Sequence, residues 1–372
     1  MRVPAEVFPA GEFIRDALED RGWTQRDLAE IINRPIQVVN EIINGKKSIT
    51  PETARELAAA LGTSPELWLN LETAYRLKFG GSRSADIGKR ATIYSLVPVA
   101  EMLKRQWIRK AASADELEKE LLEFFAVNNL EDIPKTRQVA ARAYIAEAGQ
   151  LTPAQYTWCR QAIRLASGVP VAHYRRSAIA EGLPQLRVLM ANPEEARKAP
   201  RVLAEMGVRF LLLQPLAGSR IDGAALWLPD GSPLVAVSTR FDRIDSFWFT
   251  LCHELAHIEA EDQQGALDTD LIGAKPGDLA ESEKHADDRA SEMLIPQKEL
   301  ASFIDRKRPY FYKDYIIQFA SRIGVHPGIV VGQLQYRGEI DYNANREMLV
   351  KIRHIVAQEA LTDGWGDTVA GF

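Results

Sequence analysis

The chain runs to 372 residues, 46% of them apolar and 26% charged, an ordinary globular composition with material for two or three domains that each hold a core. Its net charge of −5 suits a soluble protein and by itself selects no partner. Two lone cysteines, Cys159 and Cys252, speak against a cysteine-paired metal site and for a reducing cytoplasm; the lack of an apolar leader or an 18-residue apolar run argues against secretion and a membrane span.

Helix signals begin early. Thr24-Gln25-Arg26-Asp27 reads as a threonine cap with an acidic residue three positions on, and Leu28, Ala29, Ile31 and Ile32 give that helix its core face. Asn33-Arg34-Pro35 breaks it. A second periodic segment holds Val39, Ile42 and Ile43 and stops at Asn44-Gly45, where glycine takes a left-handed conformation without strain. Thr50-Pro51 and Ser64-Pro65 each start a further helix, with proline in the first helical position. The pattern predicts a five-helix helix-turn-helix domain over residues 1–80.

The strings Arg34–Lys46 and Ile49–Ala54, with Trp68–Leu71 and Tyr75, resemble the HigA/VapI antitoxin branch of the Xre family. That resemblance implies binding to double-stranded operator DNA. Gln25 and Lys46 or Lys47 would then touch phosphates, while Gln37, Val38, Asn40 and Ile36 would face base edges. Residues 1–80 carry 10 basic against 12 acidic side chains, so a modest affinity that depends on a homodimer is expected, and a protein-binding bundle is the competing reading.

Gly80-Gly-Ser-Arg-Ser-Ala85 reads as a hinge. Residues 81–110 hold 7 basic and 2 acidic side chains, with Lys104, Arg105, Arg109 and Lys110 beside Trp107, and are expected to form a solvated helix face. Helical periodicity continues to about residue 206, with caps at Ser113 and Thr152. Tyr156, Trp158 and His173 fit packing roles there.

Then the period changes. Val208–Leu213 reads as a buried strand, and Ala224–Leu228 and Leu234–Ser238 flank the hairpin turn Pro229-Asp-Gly231. The edge of such a sheet can hold an extended peptide by main-chain hydrogen bonds. Directly after it comes His253-Glu254-Leu255-Ala256-His257, with Asp245 or Ser246 as candidate cap. On a helix the two histidines, four apart, lie one above the other and can grip one Zn²⁺, while Glu254 reaches the metal-bound water as general base. Phe247, Trp248, Phe249, Leu251 and Ile258 around the motif predict a buried helix.

A third ligand is needed. After a loop through Gly273–Gly277, Ala286, Ala290, Met293 and Leu294 form an apolar helical stripe that ends near Pro296. Glu283 and Asp287 lie on one side of it, so Glu283 can bind the metal while Asp287 fixes the tautomer of a ligating histidine. His285 competes, but it sits about 200° of helix from Glu283 and is flanked by Lys284 and Arg289.

Glu283, Ala286, Asp287, Ala290, Leu294 and Pro296, following the HExxH pentapeptide, resemble the ImmA/IrrE family of metallopeptidases. The resemblance implies a zinc-dependent endopeptidase of the thermolysin-like class that cuts a regulatory protein. Arg289 departs from it, standing where that family usually has an aromatic residue. Cys252 reads as a small buried side chain. Residues 311–340 look helical again and resemble a C-terminal segment of long members; His326 or Tyr336 there is a candidate oxyanion donor.

The expected fold is α+β, mainly α. It comprises the helix-turn-helix domain (1–80), a helical linker or regulatory region (81–206), a zincin-like core with a small sheet and the HExxH helix (207–300), and C-terminal helices (301–372). The expected function is a cytoplasmic DNA-binding regulator with a zinc endopeptidase acting on a regulatory protein, in stress or toxin–antitoxin control. The rival is an antitoxin-like repressor whose metal domain only senses zinc or binds a toxin partner. The intact Glu254 favours the first, since a purely structural site tolerates any residue there.

Overall fold

Capping side chains at Thr24 and Thr50 start two of the first helices of the chain. The computed structural model describes residues 8–79, 81–133, 143–144, 151–264 and 276–365. Its first unit, Met1–Ala91, contains α1 (Ala10–Glu19), α2 (Gln25–Ile31), α3 (Ile36–Ile43), α4 (Pro51–Leu61) and α5 (Pro65–Phe79). Thr24 and Asp27 cap each other's backbone groups in a reciprocal box, and Thr50 accepts from Thr53 N–H ahead of Pro51. Ile14, Leu28, Val39, Ile43, Leu57 and Trp68 meet in one buried core. A Cβ on Gly11 would lie 1.9 Å from the Ile43 carbonyl oxygen, so α1 and α3 touch backbone to backbone there. Gly11→Ala is therefore expected to destabilise this unit by about 1–3 kcal/mol, the usual penalty of overpacking. A thermal melt of the variant that overlays the wild type would refute it.

α6 (Gly81–Leu96) begins within the stretch read as a hinge: residues 81–85 are helical, and Gly80 lies outside the described residues. The second unit, Thr92–Phe372, continues with α7 (Val99–Lys104), α8 (Ala114–Phe125), α9 (Pro153–Ala166), α10 (Ala178–Leu189) and α11 (Ala199–Glu205). A four-stranded sheet of order β1-β3-β4-β2 follows from β1 (Ala143–Tyr144), β2 (Arg209–Leu212), β3 (Gly223–Trp227) and β4 (Pro233–Val237). β3 and β4 form the expected hairpin, its turn closed by Gly231 at φ 78°. β2 runs parallel to β4, and Ala143–Tyr144 pairs antiparallel with Leu226 and Ala225 on the other edge of β3.

Alternation along the strands feeds two cores. Phe210, Leu212, Ala225, Val235 and Val237 point into one, Leu211, Ala224, Leu226, Leu234 and Ala236 into the other. The second is closed by α8 and α9: Trp158 is fully buried and donates to the Leu213 carbonyl at 3.0 Å, and Tyr156 stacks on Phe125. The first is closed by α12 (Ile244–Gln264), α13 (Pro276–Leu294), α14 (Gln297–Lys307), α15 (Lys313–Ile323), α16 (Pro327–Tyr336) and α17 (Arg353–Val356).

Two smaller expectations are corrected. Arg105 belongs to no solvated face; it is buried, donates to the carbonyls of Gln214 and Pro215, and packs its guanidinium over Trp107 and Trp365. α12 starts at Ile244, so Asp245 and Ser246 lie inside its first turn rather than capping it. Gly273–Lys275 fall outside the described residues, and Pro276-Gly277 opens α13. Among the described residues no helix is long and apolar enough to cross a membrane.

Candidate functional site

α12 is apolar around its whole circumference, with Phe247, Trp248, Leu251, Cys252, Leu255, Ala256 and Ile258 all buried, which is the signature of a helix driven through a core. His253, Glu254 and His257 are polar insertions into that environment and are 6%, 2% and 1% exposed. Buried polar groups need partners.

α13 packs against α12 and supplies them. His253 Nε2 and His257 Nε2 stand 3.0 Å apart; Glu283 Oε2 is 3.3 Å from the first and Glu283 Oε1 3.5 Å from the second. On the far side of the ring, His253 Nδ1 donates to Asp287 Oδ1 at 3.0 Å. In the neutral ring that a metal requires, that nitrogen keeps the one proton and His253 presents an Nε2 lone pair to the cluster. Two imidazole nitrogens and a carboxylate thus converge on one point. Ligand atoms on a tetrahedral zinc at about 2.0–2.1 Å lie about 3.3 Å from one another, and the three observed separations bracket that value. The residues present fit the ion. His285, the sequence-level rival, is exposed and outside this group.

Without a metal, the charges of the cluster offset one another. Burial opposes charge on His253, but hydrogen bonds to Asp287 and Glu283 prevail and push it up to about 10. Burial lowers His257 in turn. Burial also opposes ionisation of Glu283, yet the two imidazoles bring it down to about 2. Glu254 is different: burial pushes it up to about 8, against the pull of His253 and of the Ala225 backbone N–H. Its Oε2 is buried and has no hydrogen-bond partner among the described residues.

β3 lies flat on this turn of α12. A Cβ on Gly223 would stand 2.6 Å from Thr250 Cγ2 and 2.7 Å from Glu254 Oε1, so only glycine lets the strand approach. Sequence reasoning passed over Gly223; a glycine at the mouth of a strand was the available signal. Arg289, the departure from the family pattern, makes a two-pronged pair with Glu259 at 2.7 and 3.0 Å and so ties α13 to α12. Cys252 is buried, its thiol pushed up to about 12 by desolvation, and behaves as a small apolar side chain.

The two oxyanion candidates part company. Tyr336 reaches the cluster, its hydroxyl donating to Asp287 Oδ2 at 3.3 Å and its ring 6.0 Å from Phe249. His326 caps α16, accepting from Gly328 N–H at Nδ1, and none of its described contacts is with His253, His257 or Glu283.

In the first unit, α2 and α3 place Gln37, Asn40 and Ile36 on an exposed face of α3, with Lys46 and Lys47 exposed just beyond it. Asn40 donates to Gln25 at 3.2 Å and accepts from Asn44, which orders a row of amides along the surface. Gln37 donates to Glu41 at 3.2 Å. Val38 is half-buried and packs on the core.

Comparison with known proteins divides along the same lines. Residues 14–68 match the helix-turn-helix family, and residues 205–334 match the IrrE N-terminal-like domain. The uncharacterized HTH-type transcriptional regulator YddM of Escherichia coli is 31% identical over 67 residues, 18% of this chain and 71% of that protein. Virulence-associated protein I of Dichelobacter nodosus is 35% identical over 84 residues, 21% of this chain and 78% of that one. Antitoxin HigA-1 of Vibrio cholerae is 41% identical over 68 residues, 18% and 64% of the two chains.

Proposed function

Since the chain belongs to the Xre-type helix-turn-helix regulators and carries an IrrE N-terminal-like domain behind that module, we propose that it is a DNA-binding regulator with a zinc-dependent endopeptidase that cuts a regulatory protein in the cytoplasm. One observation carries the enzymatic half: His253 and His257 each face an oxygen of Glu283 at 3.3 and 3.5 Å while the adjacent Glu254 keeps a buried oxygen with no hydrogen-bond partner among the described residues. A purely structural metal site has no use for that oxygen.

His253, His257 and Glu283 would hold the zinc, which would supply a Lewis acid for the scissile carbonyl and a water of lowered pKa. Asp287 keeps the proton on His253 Nδ1 and so holds the ring with Nε2 inward. As water adds to the peptide carbonyl, Glu254 takes its proton at the free carboxylate oxygen, and returns it to the amine that leaves when the C–N bond breaks. Its burial against β3 raises its affinity for that proton and excludes solvent from it. Asp287→Ala is expected to weaken metal binding or activity by about tenfold to a hundredfold with the fold retained; unchanged metal affinity and activity would reduce Asp287 to a surface acid.

The reading is tested by incubating candidate partner proteins with the zinc-loaded chain and mapping new termini by mass spectrometry. New termini that a chelator abolishes are expected. Their absence throughout would leave the second reading, an antitoxin-like repressor with a non-catalytic metal domain, which the likeness to antitoxin HigA-1 supports.

For the DNA-binding half, Gln37→Ala is expected to relax sequence preference, whereas Lys46→Ala weakens binding to every sequence and lowers the salt slope by about one. Footprinting at two salt concentrations measures both. No protected palindrome at either would mark the first unit as a protein-binding bundle.

A further inference from the structure

β3 is paired with β4 along one edge, and β1 lies along the other. The ladder decides which main-chain groups face which edge. Asp222 accepts from Ser238 N–H at 2.8 Å, Leu228 donates to the Ser232 carbonyl at 3.0 Å, and the register between them is unbroken. Even-numbered residues of this stretch therefore turn their N–H and C=O toward β4. The direction alternates along an antiparallel strand, so Gly223, Ala225 and Trp227 turn theirs toward β1.

Two groups meet at Ala225. Its N–H reaches the Glu254 carboxylate, and Tyr144 of β1 is its antiparallel partner. Two residues back along β3, a Cβ on Gly223 would stand 2.7 Å from Glu254 Oε1. The edge on which β1 lies is thus the edge that passes the general base. An extended peptide that seeks main-chain hydrogen bonds beside Glu254 has this edge to pair with, and the chain's own Ala143–Tyr144 already holds it at Leu226 and Ala225.

Building on the peptidase reading above, we propose that β1 is a built-in blocking strand. It takes the place of a substrate backbone on β3, and a protein is cut only after a strand of its own displaces Ala143–Tyr144. Two features suit a block that holds and yet yields. Because β1 belongs to the same chain, it competes as an intramolecular partner, which raises the concentration a free peptide needs. Among the described residues, however, it pairs with two positions of the five-residue strand Gly223–Trp227. An incoming strand that pairs along all five makes more main-chain hydrogen bonds than it displaces. The substrate class is then a protein that presents an extended segment of about five residues or more, which short or helical peptides do not supply.

The test uses the full-length zinc-loaded protein carrying Glu254→Gln, so that nothing is cut, and a fluorescein-labelled synthetic peptide with the sequence of residues 139–148. Tyr144→Pro, added to this parent, removes the N–H that faces Ala225 and should open the edge. Fluorescence anisotropy is expected to show the peptide binding about tenfold more tightly to Tyr144→Pro than to the parent, with zinc content as the folding control. Tyr144→Ala keeps the N–H and should behave like the parent. Equal affinity of all three forms, or equal release by Tyr144→Ala, would overturn the block. If Tyr144→Pro loses its zinc, hydrogen exchange decides. Saturating peptide should then speed exchange of the Tyr144 amide in the parent, and an unchanged rate would overturn the block. A zinc-dependent cut next to Tyr144 in the wild type would overturn it too, by making β1 a substrate. The binding readouts need no cleavage: peptide released as expected, in a chain that never produces new termini in any partner, would sink the peptidase and keep β1 as the cover of a peptide-binding edge.

Discussion

Glu254→Gln is expected to bind one zinc per chain as the wild type does and to lose about 10²–10⁴-fold in cleavage rate, the range attributed to a positioned general base. Glutamine has the same shape, so the 2%-exposed pocket against β3 stays filled and α12 keeps its path. Glu254 is also outside the convergent trio of His253, His257 and Glu283, so metal affinity has no reason to change. What disappears is an oxygen able to accept a proton. Metal analysis and single-substrate kinetics on the same preparation read both quantities. The consequence extends to regulation. A helix-turn-helix dimer reads half-sites about 34 Å apart and would carry two peptidase domains with it. Glu254→Gln should then occupy the operator like wild type and fail to relieve repression under the inducing stress. A reporter that derepresses normally in this variant, with zinc bound, would sink the peptidase switch and favour the non-catalytic repressor.

The second large effect concerns the metal. Glu283→Ala should drop zinc from one per chain to a small fraction, because two imidazoles from one helix leave the tetrahedron short of a protein ligand. The loss also removes the carboxylate that faces both buried imidazoles, whose Nε2 atoms stand 3.0 Å apart. His285→Ala, two residues along and exposed, should keep its zinc. The reverse pattern, metal retained without Glu283 and lost without His285, would mean that α13 presents a different face to α12 in the loaded protein.

Much of this was legible in the sequence because it is local. The capping boxes at Thr24-Asp27 and Thr152-Gln155, the glycine stop after Asn44, and the hairpin turn at Gly231 are decided by atoms within about four residues of one another. The same holds for the metal pair: an i, i+4 spacing on a helix fixes His253 and His257 on one face whatever the rest of the chain does. Glu283 and Asp287, four apart, followed by the same rule, and the structure brings both to His253.

Composition misleads over residues 81–85, which are helical. Gly, Ser and Ser argue against helix one by one, but α6 runs on through Ala85, Ile87, Lys89, Arg90 and Ala91, and the longer run of helix formers prevails.

What only the tertiary structure decided are contacts between residues far apart in the chain. Alternation in three strands predicts that they have two faces; it does not choose parallel pairing of β2 with β4, or set Ala143–Tyr144 on the edge of β3. Gly223 against Glu254, Arg289 with Glu259, Arg105 under two tryptophans, and the Tyr336 hydroxyl on Asp287, 49 residues away, all depend on how finished elements pack. Periodicity fixes which side of a helix is buried; which neighbour it is buried against is settled by the summed packing of the whole unit, and that information is spread over too many residues for any one stretch to carry it.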